Sequence, residues 1–293
     1  MRRIQLPGTD IETSWLGFGC ASLGSRVSAR AGLDALHRAH DGGVAWFDVA
    51  PAYGAGQAEE ILGRFIAGRR HRLCVLTKVG LAPPARAGLM RAAYAVARPA
   101  AGLLRGLRGK ATRLGTLRNQ SLPLTPSLIE GSVATSLRRL GTDHVDVLAL
   151  HDPDPADVTR EEILRALERV IARGQARAVG VAGSSEACAA AIGPGLPYRV
   201  VQTAVAVEGD VFARFRAQAA GPLATIGHSV FGVGWHGAPD DALASALRRN
   251  PDGVTLTSMF SPDHLAANLA NADRAARDLA PSAWVGVPLR NAV

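Results

Sequence analysis

The chain has 293 residues, 47% of them hydrophobic and 20% charged, a balance that fits a globular protein with a sizeable core and excludes a disordered chain. No apolar run approaches the ~18 residues of a membrane span, no signal peptide follows Met1, and Cys20, Cys74 and Cys188 lack any paired spacing, so a cytoplasmic protein without a disulfide scaffold is expected. The net charge of +8 resides wholly in residues 81–125, where Arg86, Arg91, Arg98, Arg105, Arg108, Lys110, Arg113 and Arg118 meet no acid, and a nucleic-acid-binding surface is therefore not expected.

Along the chain, Ile4–Leu6 and Ile11–Thr13 flank Pro7-Gly8-Thr9-Asp10 and predict an N-terminal β-hairpin. Short apolar runs then predict strands near 15–20, 44–48, 73–78, 145–150, 177–182, 199–204, 223–229 and 253–258. Amphipathic stretches predict helices near 29–41, 57–68, 126–140, 160–173, 185–192, 210–220, 239–249 and 262–279. Thr125-Pro126 and Ser261-Pro262 offer an N-cap followed by proline at the first helical position. Gly141 and Gly174 sit where a left-handed residue closes a helix.

Strands alternating with helices throughout predict an α/β fold: a (β/α)8 TIM barrel spanning 1–293 as one domain, its amino-terminal end plugged by the hairpin. The rival is a doubly wound open sheet. It is disfavoured because Gly17-Phe18-Gly19-Cys20-Ala21-Ser22 has serine where a dinucleotide fingerprint needs its third glycine. The basic segment 81–125 is a long insertion after the third barrel strand, on the face that carries active sites. It reads as a loop or lid with an apolar stripe of Leu89, Ala93, Val96, Leu103, Leu104 and Leu107.

Asp48, Tyr53, Lys78 and His151 each follow an apolar run, at the strand ends where such folds place catalysis. Singly, each reads as a cap, packing or loop residue. Together they describe a phenol tuned for proton transfer. A free tyrosine titrates near ~10; an adjacent Lys78 ammonium would favour the phenolate, and Asp48 would hold that ammonium. His151 could orient a carbonyl oxygen by hydrogen bonding.

Phe47-Asp48-Val49-Ala50-Pro51-Ala52-Tyr53-Gly54 with Glu59-Glu60-Ile61-Leu62-Gly63 resembles the aldo-keto reductase signature. Thr77-Lys78, Leu150-His151, Val179-Gly180-Val181 and Val201-Gln202 follow in that family's order. The resemblance implies a (β/α)8 barrel that uses NADPH, with NADH as the alternative, to interconvert carbonyls and alcohols, Tyr53 donating the proton. His151-Asp152-Pro153-Asp154 and the long insertion look most like the bacterial sugar- and pyridoxal-dehydrogenase branch.

The resemblance also implies cofactor contacts. Gly19, Cys20 and Asp48 lie on the early turns. Gln202 matches the carboxamide-binding glutamine, and His228 stands in the place of a stacking aromatic. Ser229, Gly232 and Gly234 belong to the loop over the pyrophosphate. Ser261 and His264 face the adenosine phosphate, and Asn268 matches an adenine contact. Gly232-Val233-Gly234-Trp235-His236-Gly237 spells G-x-G-x-x-G, yet no acidic partner follows to make it a Rossmann signal.

The family pattern fails in places. Ala182-Gly183 stand where a Ser-Asn pair is expected, leaving Ser184 as a substitute. Ser258, Met259 and His264 stand where NADPH-preferring members often carry basic residues, leaving a 2′-phosphate to Arg274 or the basic insertion.

The expected function is an NAD(P)-dependent oxidoreductase acting on a small aldehyde, ketone or sugar, with an anionic substrate as the sharper reading of the basic segment. The alternative is a cofactor-binding regulatory barrel with little or no catalysis, as potassium-channel β-subunits illustrate. A third idea, a tether to nucleic acid or membrane through 81–125, is disfavoured. No metal is expected, since the eight histidines have no zinc spacing. Trp15, Trp46 and Trp235 are candidate pocket aromatics, with core packing the expected role of the first two. Monomer and dimer both stay open.

Overall fold

The computed structural model describes residues 1–85, 87–88, 119–205, 210–232 and 239–279. Two short antiparallel strands, β1 (Arg3–Gln5) and β2 (Glu12–Ser14), open the chain. Eight parallel strands follow: β3 (Leu16–Gly19), β4 (Trp46–Asp48), β5 (Cys74–Val79), β8 (Val145–His151), β9 (Ala176–Ala182), β10 (Val200–Ala204), β11 (Ala224–His228) and β12 (Val254–Thr257). They close in chain order into a barrel, β12 pairing back to β3. Each falls within the run from which it is expected, give or take a residue. Their near-continuous apolar character is what burial on both faces demands; β4, β5 and β8 are buried at every position. Trp15 and Trp46 are wholly buried in the core.

Helices cover the outside, and three of the four end signals hold as read. Thr125 Oγ1 accepts from Leu128 N at 3.2 Å before the helix Pro126–Leu140, and Gly141 closes that helix at φ 65°. Gly174, at φ 68°, follows the helix Glu161–Ala172. Ser261 precedes Pro262 without a capping bond of its own.

The hairpin lies at the amino ends of the strands. Leu6 and Ile11 are fully buried, the Cys74 thiol donates to Glu12 O (3.4 Å), and the Arg177 guanidinium donates to Asp10 O (2.9 Å). Asp146 ties this end together: its carboxylate accepts from Arg70 and Arg177, each at 2.7 Å, and from Val75 N at 2.8 Å.

Among the elements not read from the sequence, two lie beside the barrel mouth's strands β5 and β8. One is a short helix, Pro155–Val158, capped by Asp154. The other is the antiparallel pair β6 (Leu81–Ala82) and β7 (Gln120–Ser121), which draws the ends of the insertion together beyond β5. The apolar stripe of the insertion, its arginines and lysine, Gly234 and Trp235 lie outside the described residues.

Candidate active site

Parallel register sets the site. Gly19 pairs with Asp48, Lys78 with Ala149 and His151 with Ala182, so strand ends far apart in sequence come level at one mouth. Tyr53 hangs from the turn after β4. That turn is tight: Gly54, Ala55 and Gly56 all have positive φ (62°, 55° and 86°). A Cβ on Gly54 would lie 1.7 Å from Leu23 O, so only glycine lets the turn seat against the loop after β3. Behind Lys78, Thr77 Oγ1 donates to the buried Glu59 (2.8 Å), and Arg139 holds the other Glu59 oxygen at 3.2 Å.

The four expected residues meet. Lys78 Nζ, buried to 1% exposure, donates to Asp48 Oδ1 (2.5 Å), Tyr53 OH (3.0 Å) and Val49 O (3.4 Å). The Tyr53 and His151 rings stand edge to face, centroids 5.7 Å apart. Burial, opposed by Lys78 and reinforced by Asp48, raises the Tyr53 phenol above its ordinary value. Lys78 favours the phenolate, as expected from the sequence, but burial outweighs it. Burial alone would pull the Lys78 ammonium down, but Asp48 and Tyr53 outweigh it and the net direction is up. Burial, with Lys78 and His228 adding to it, pushes His151 down to about 2, so its imidazole is neutral at ordinary pH.

These side chains floor a cavity of about 540 Å³, which Gly19, Gln202, His228, Ser229 and Gly232 also line. Gln202 is buried, and its Oε1 has no partner among the described residues; the same holds for Asp48 Oδ2 and His151 Nδ1. His228 Nδ1 and Ser229 Oγ lie 2.9 Å apart. Among the described residues the non-glycine positions with positive φ are Ala55, Asp152 and Ser229. Two line the cavity and the third belongs to the Tyr53 turn, where backbone strain clusters in functional sites.

The other expected contacts are placed differently. Cys20 packs into the core, its backbone N–H donating to Asp48 O (2.9 Å), and the cavity wall there is Gly19 and Ala21. Ser184 caps the helix Ser185–Ala190 by accepting from Ala187 N (3.2 Å), so Ala182 and Gly183 form the wall where it was expected to substitute. Ser261 and His264 begin the last helix, Pro262–Asp278, with His264 exposed and outside the cavity lining. Asn268 is buried and donates to Thr257 Oγ1 (3.3 Å). Arg274 lies about three turns into that helix and donates to Asn271 (2.6 Å).

Asp152, Phe231 and Ser258 line the cavity too; the sequence placed Ser258 where basic cofactor contacts are often found and gave Asp152 and Phe231 no role there. Phe231 is a large apolar side chain with 50% exposure. Asp152 could have been found as the residue after a strand-end histidine.

The profile of the Aldo/keto reductase family matches residues 15–206. An aldo-keto reductase of Bacillus subtilis is 28% identical over 191 residues, 63% of this chain and 48% of that protein. The D-threo-aldose 1-dehydrogenase of a Pseudomonas species is 31% identical over 180 residues, 57% of this chain and 49% of that protein. The chain thus spans about half the length of these curated relatives. The crystal structure of an aldo-keto reductase from Klebsiella pneumoniae in complex with NADPH superposes with a TM-score of 0.66 at 19% identity, over 93% of this chain and 90% of that one.

Proposed function

Because the chain belongs to the aldo/keto reductase family, we propose that it is an NAD(P)-dependent oxidoreductase interconverting a small carbonyl compound and its alcohol. One observation carries the reading: the phenol of Tyr53 lies 3.0 Å from a buried ammonium at the floor of an open cavity. Tyr53, protonated at rest, gives its proton to the carbonyl oxygen as negative charge develops there. Lys78 stabilises the phenolate left behind, and Asp48 keeps Lys78 charged. The neutral His151 imidazole donates an N–H to the same oxygen and fixes its direction.

The residues present fit a nicotinamide dinucleotide. The unpartnered Gln202 Oε1 is a buried acceptor suited to a carboxamide N–H, and Gly19, Gly183 and Gly232 leave room for close approach. When bound, the cofactor supplies hydride to the carbonyl carbon. NADPH is the proposed cofactor, with NADH as the alternative.

A cytoplasmic setting fits the buried free thiols of Cys20, Cys74 and Cys188. No helix among the described residues is long and apolar enough to cross a membrane. The carbonyl is an aldehyde, ketone or sugar.

Initial rates with a panel of such compounds, using NADPH and NADH across pH, test the proposal. Reduction needs the phenol, whose pKa is raised, so its rate should stay level through neutrality and beyond the ordinary tyrosine range near ~10. Alcohol oxidation needs the phenolate and should rise with pH over the same interval. No turnover with either cofactor would retract the proposal in favour of a regulatory barrel.

Gln202→Leu should weaken cofactor binding about tenfold, the worth of one hydrogen bond near ~1.4 kcal/mol. It should leave the melting temperature of the cofactor-free protein unchanged or higher, because a buried acceptor without a partner is removed. Tryptophan-fluorescence titration and thermal melts check the two halves. Unchanged affinity would release Gln202 from the cofactor site.

A further inference from the structure

We infer that Asp152 sets the substrate class of the cavity, admitting neutral hydroxyl-bearing or cationic carbonyl compounds and turning away carboxylates and phosphates. The inference rests on the reductase reading above and deepens it.

The backbone holds Asp152 in place firmly. Its φ of 48° is a conformation that residues with a side chain seldom adopt. Its N–H donates to Ala182 O at 2.7 Å, locking the residue to the end of β9, and the buried Pro153 follows it. Across from it stands Gly183. A Cβ there would meet Asp152 Cα at 3.2 Å, Asp152 Oδ1 at 3.3 Å and Pro153 Cδ at 3.4 Å. The missing side chain at 183 is thus the space beside which this carboxyl lies. Among the described residues no hydrogen bond or ion pair engages that carboxyl, and the side chain is exposed at the cavity.

The polar inventory of the cavity points the same way. Beside the His151 imidazole, which the reaction uses, its unengaged groups among the described residues include three acceptors: Gln202 Oε1, Asp48 Oδ2 and the Asp152 carboxyl. The cation among the described lining residues is Lys78, and it is already held by Asp48, Val49 O and Tyr53. Among the described lining residues Lys78 and Asp48 cancel in charge, leaving Asp152 as the net acid. His151 and His228 do not offset it, since burial lowers both imidazoles toward their neutral forms. Burial also raises the Asp152 carboxyl despite His228 and Lys78. A second anion would add like-charge repulsion, whereas a hydroxyl or ammonium would give the acceptors the donors they lack. A neutral or cationic substrate thus stands as the alternative to the anionic substrate suggested by the basic segment.

The test compares kcat/KM for para-carboxybenzaldehyde and para-hydroxymethylbenzaldehyde in the parent protein, Asp152→Asn and Asp154→Asn. Asp154 carries the same charge two positions away, outside the cavity lining, and as asparagine would still cap its helix. The parent should favour the hydroxymethyl compound. Asp152→Asn should shrink that preference about tenfold, mainly through KM of the carboxylate, as loss of one nearby charge predicts. Asp154→Asn should leave the preference as it is. Equal use of both aldehydes by the parent, or equal shifts in the two variants, would overturn the inference. So would a change in cofactor Kd matching the shift in preference, which would assign Asp152 to the cofactor. No turnover of either aldehyde, with cofactor still bound, would instead retract the reductase reading and this inference together.

Discussion

Replacing Tyr53 with phenylalanine should lower kcat for carbonyl reduction by about 10²–10⁴-fold, the usual contribution of a positioned general acid, with cofactor affinity nearly unchanged. The substitution removes one oxygen and keeps the ring. The edge contact with His151, at 5.7 Å between centroids, survives, as does the approach of Lys78 Nζ to the ring at 4.7 Å. The fold should hold, because Tyr53 is only half-buried and its hydroxyl faces the cavity. What disappears is the proton that meets the developing alkoxide. Steady-state rates together with a fluorescence Kd separate the two effects. A Tyr53→Phe protein with full turnover would remove the central claim about this site.

The second large effect concerns stability. Lys78 and Asp48 are both almost wholly buried and joined at 2.5 Å. Asp48→Asn leaves the ammonium without its counter-ion, and breaking a buried pair from one side costs about 3–5 kcal/mol. At roughly 2–4 °C per kcal/mol for a chain of this size, the melting temperature should fall by about 10 °C, and turnover should collapse with it. Lys78→Met should behave similarly, leaving a buried carboxylate. The double variant, Asp48→Asn with Lys78→Met, should recover most of the melting temperature and none of the activity, since an uncharged pair carries no desolvation penalty. That split would show the pair to be retained for proton chemistry at some expense in stability. If Asp48→Asn melts like the parent, the pair is not the electrostatic unit its geometry indicates.

Much of the fold was legible because its signals are local. An apolar run of four to six residues bounded by polar turns is enough to mark a buried parallel strand, and the runs ending at Asp48, Lys78 and His151 did so. Thr125-Pro126 and Gly141 marked the two ends of one helix through caps that involve only neighbouring residues. The pair β6 and β7 was not legible: Leu81 and Ser121 are forty positions apart, and two-residue strands carry no periodicity. Ser184 was misread because a serine beside a cavity and a serine capping a helix look alike in sequence; the bond from Ala187 N decides between them.

The sequence by itself determined the order of strands and helices, the four residue types at the strand ends and the family pattern that joins them. Those are properties of neighbours along the chain. Only the tertiary structure decided which of these groups touch and what they weigh. The contacts of Lys78 with Asp48 and Tyr53 span 30 and 25 positions and depend on barrel register. The upward shift of the Tyr53 phenol and the depression of His151 to about 2 come first from burial, which no single residue's identity carries. The carboxyl of Asp152 at the cavity wall follows from a left-handed backbone and a side chain missing at Gly183, a juxtaposition that exists only once β8 and β9 lie side by side.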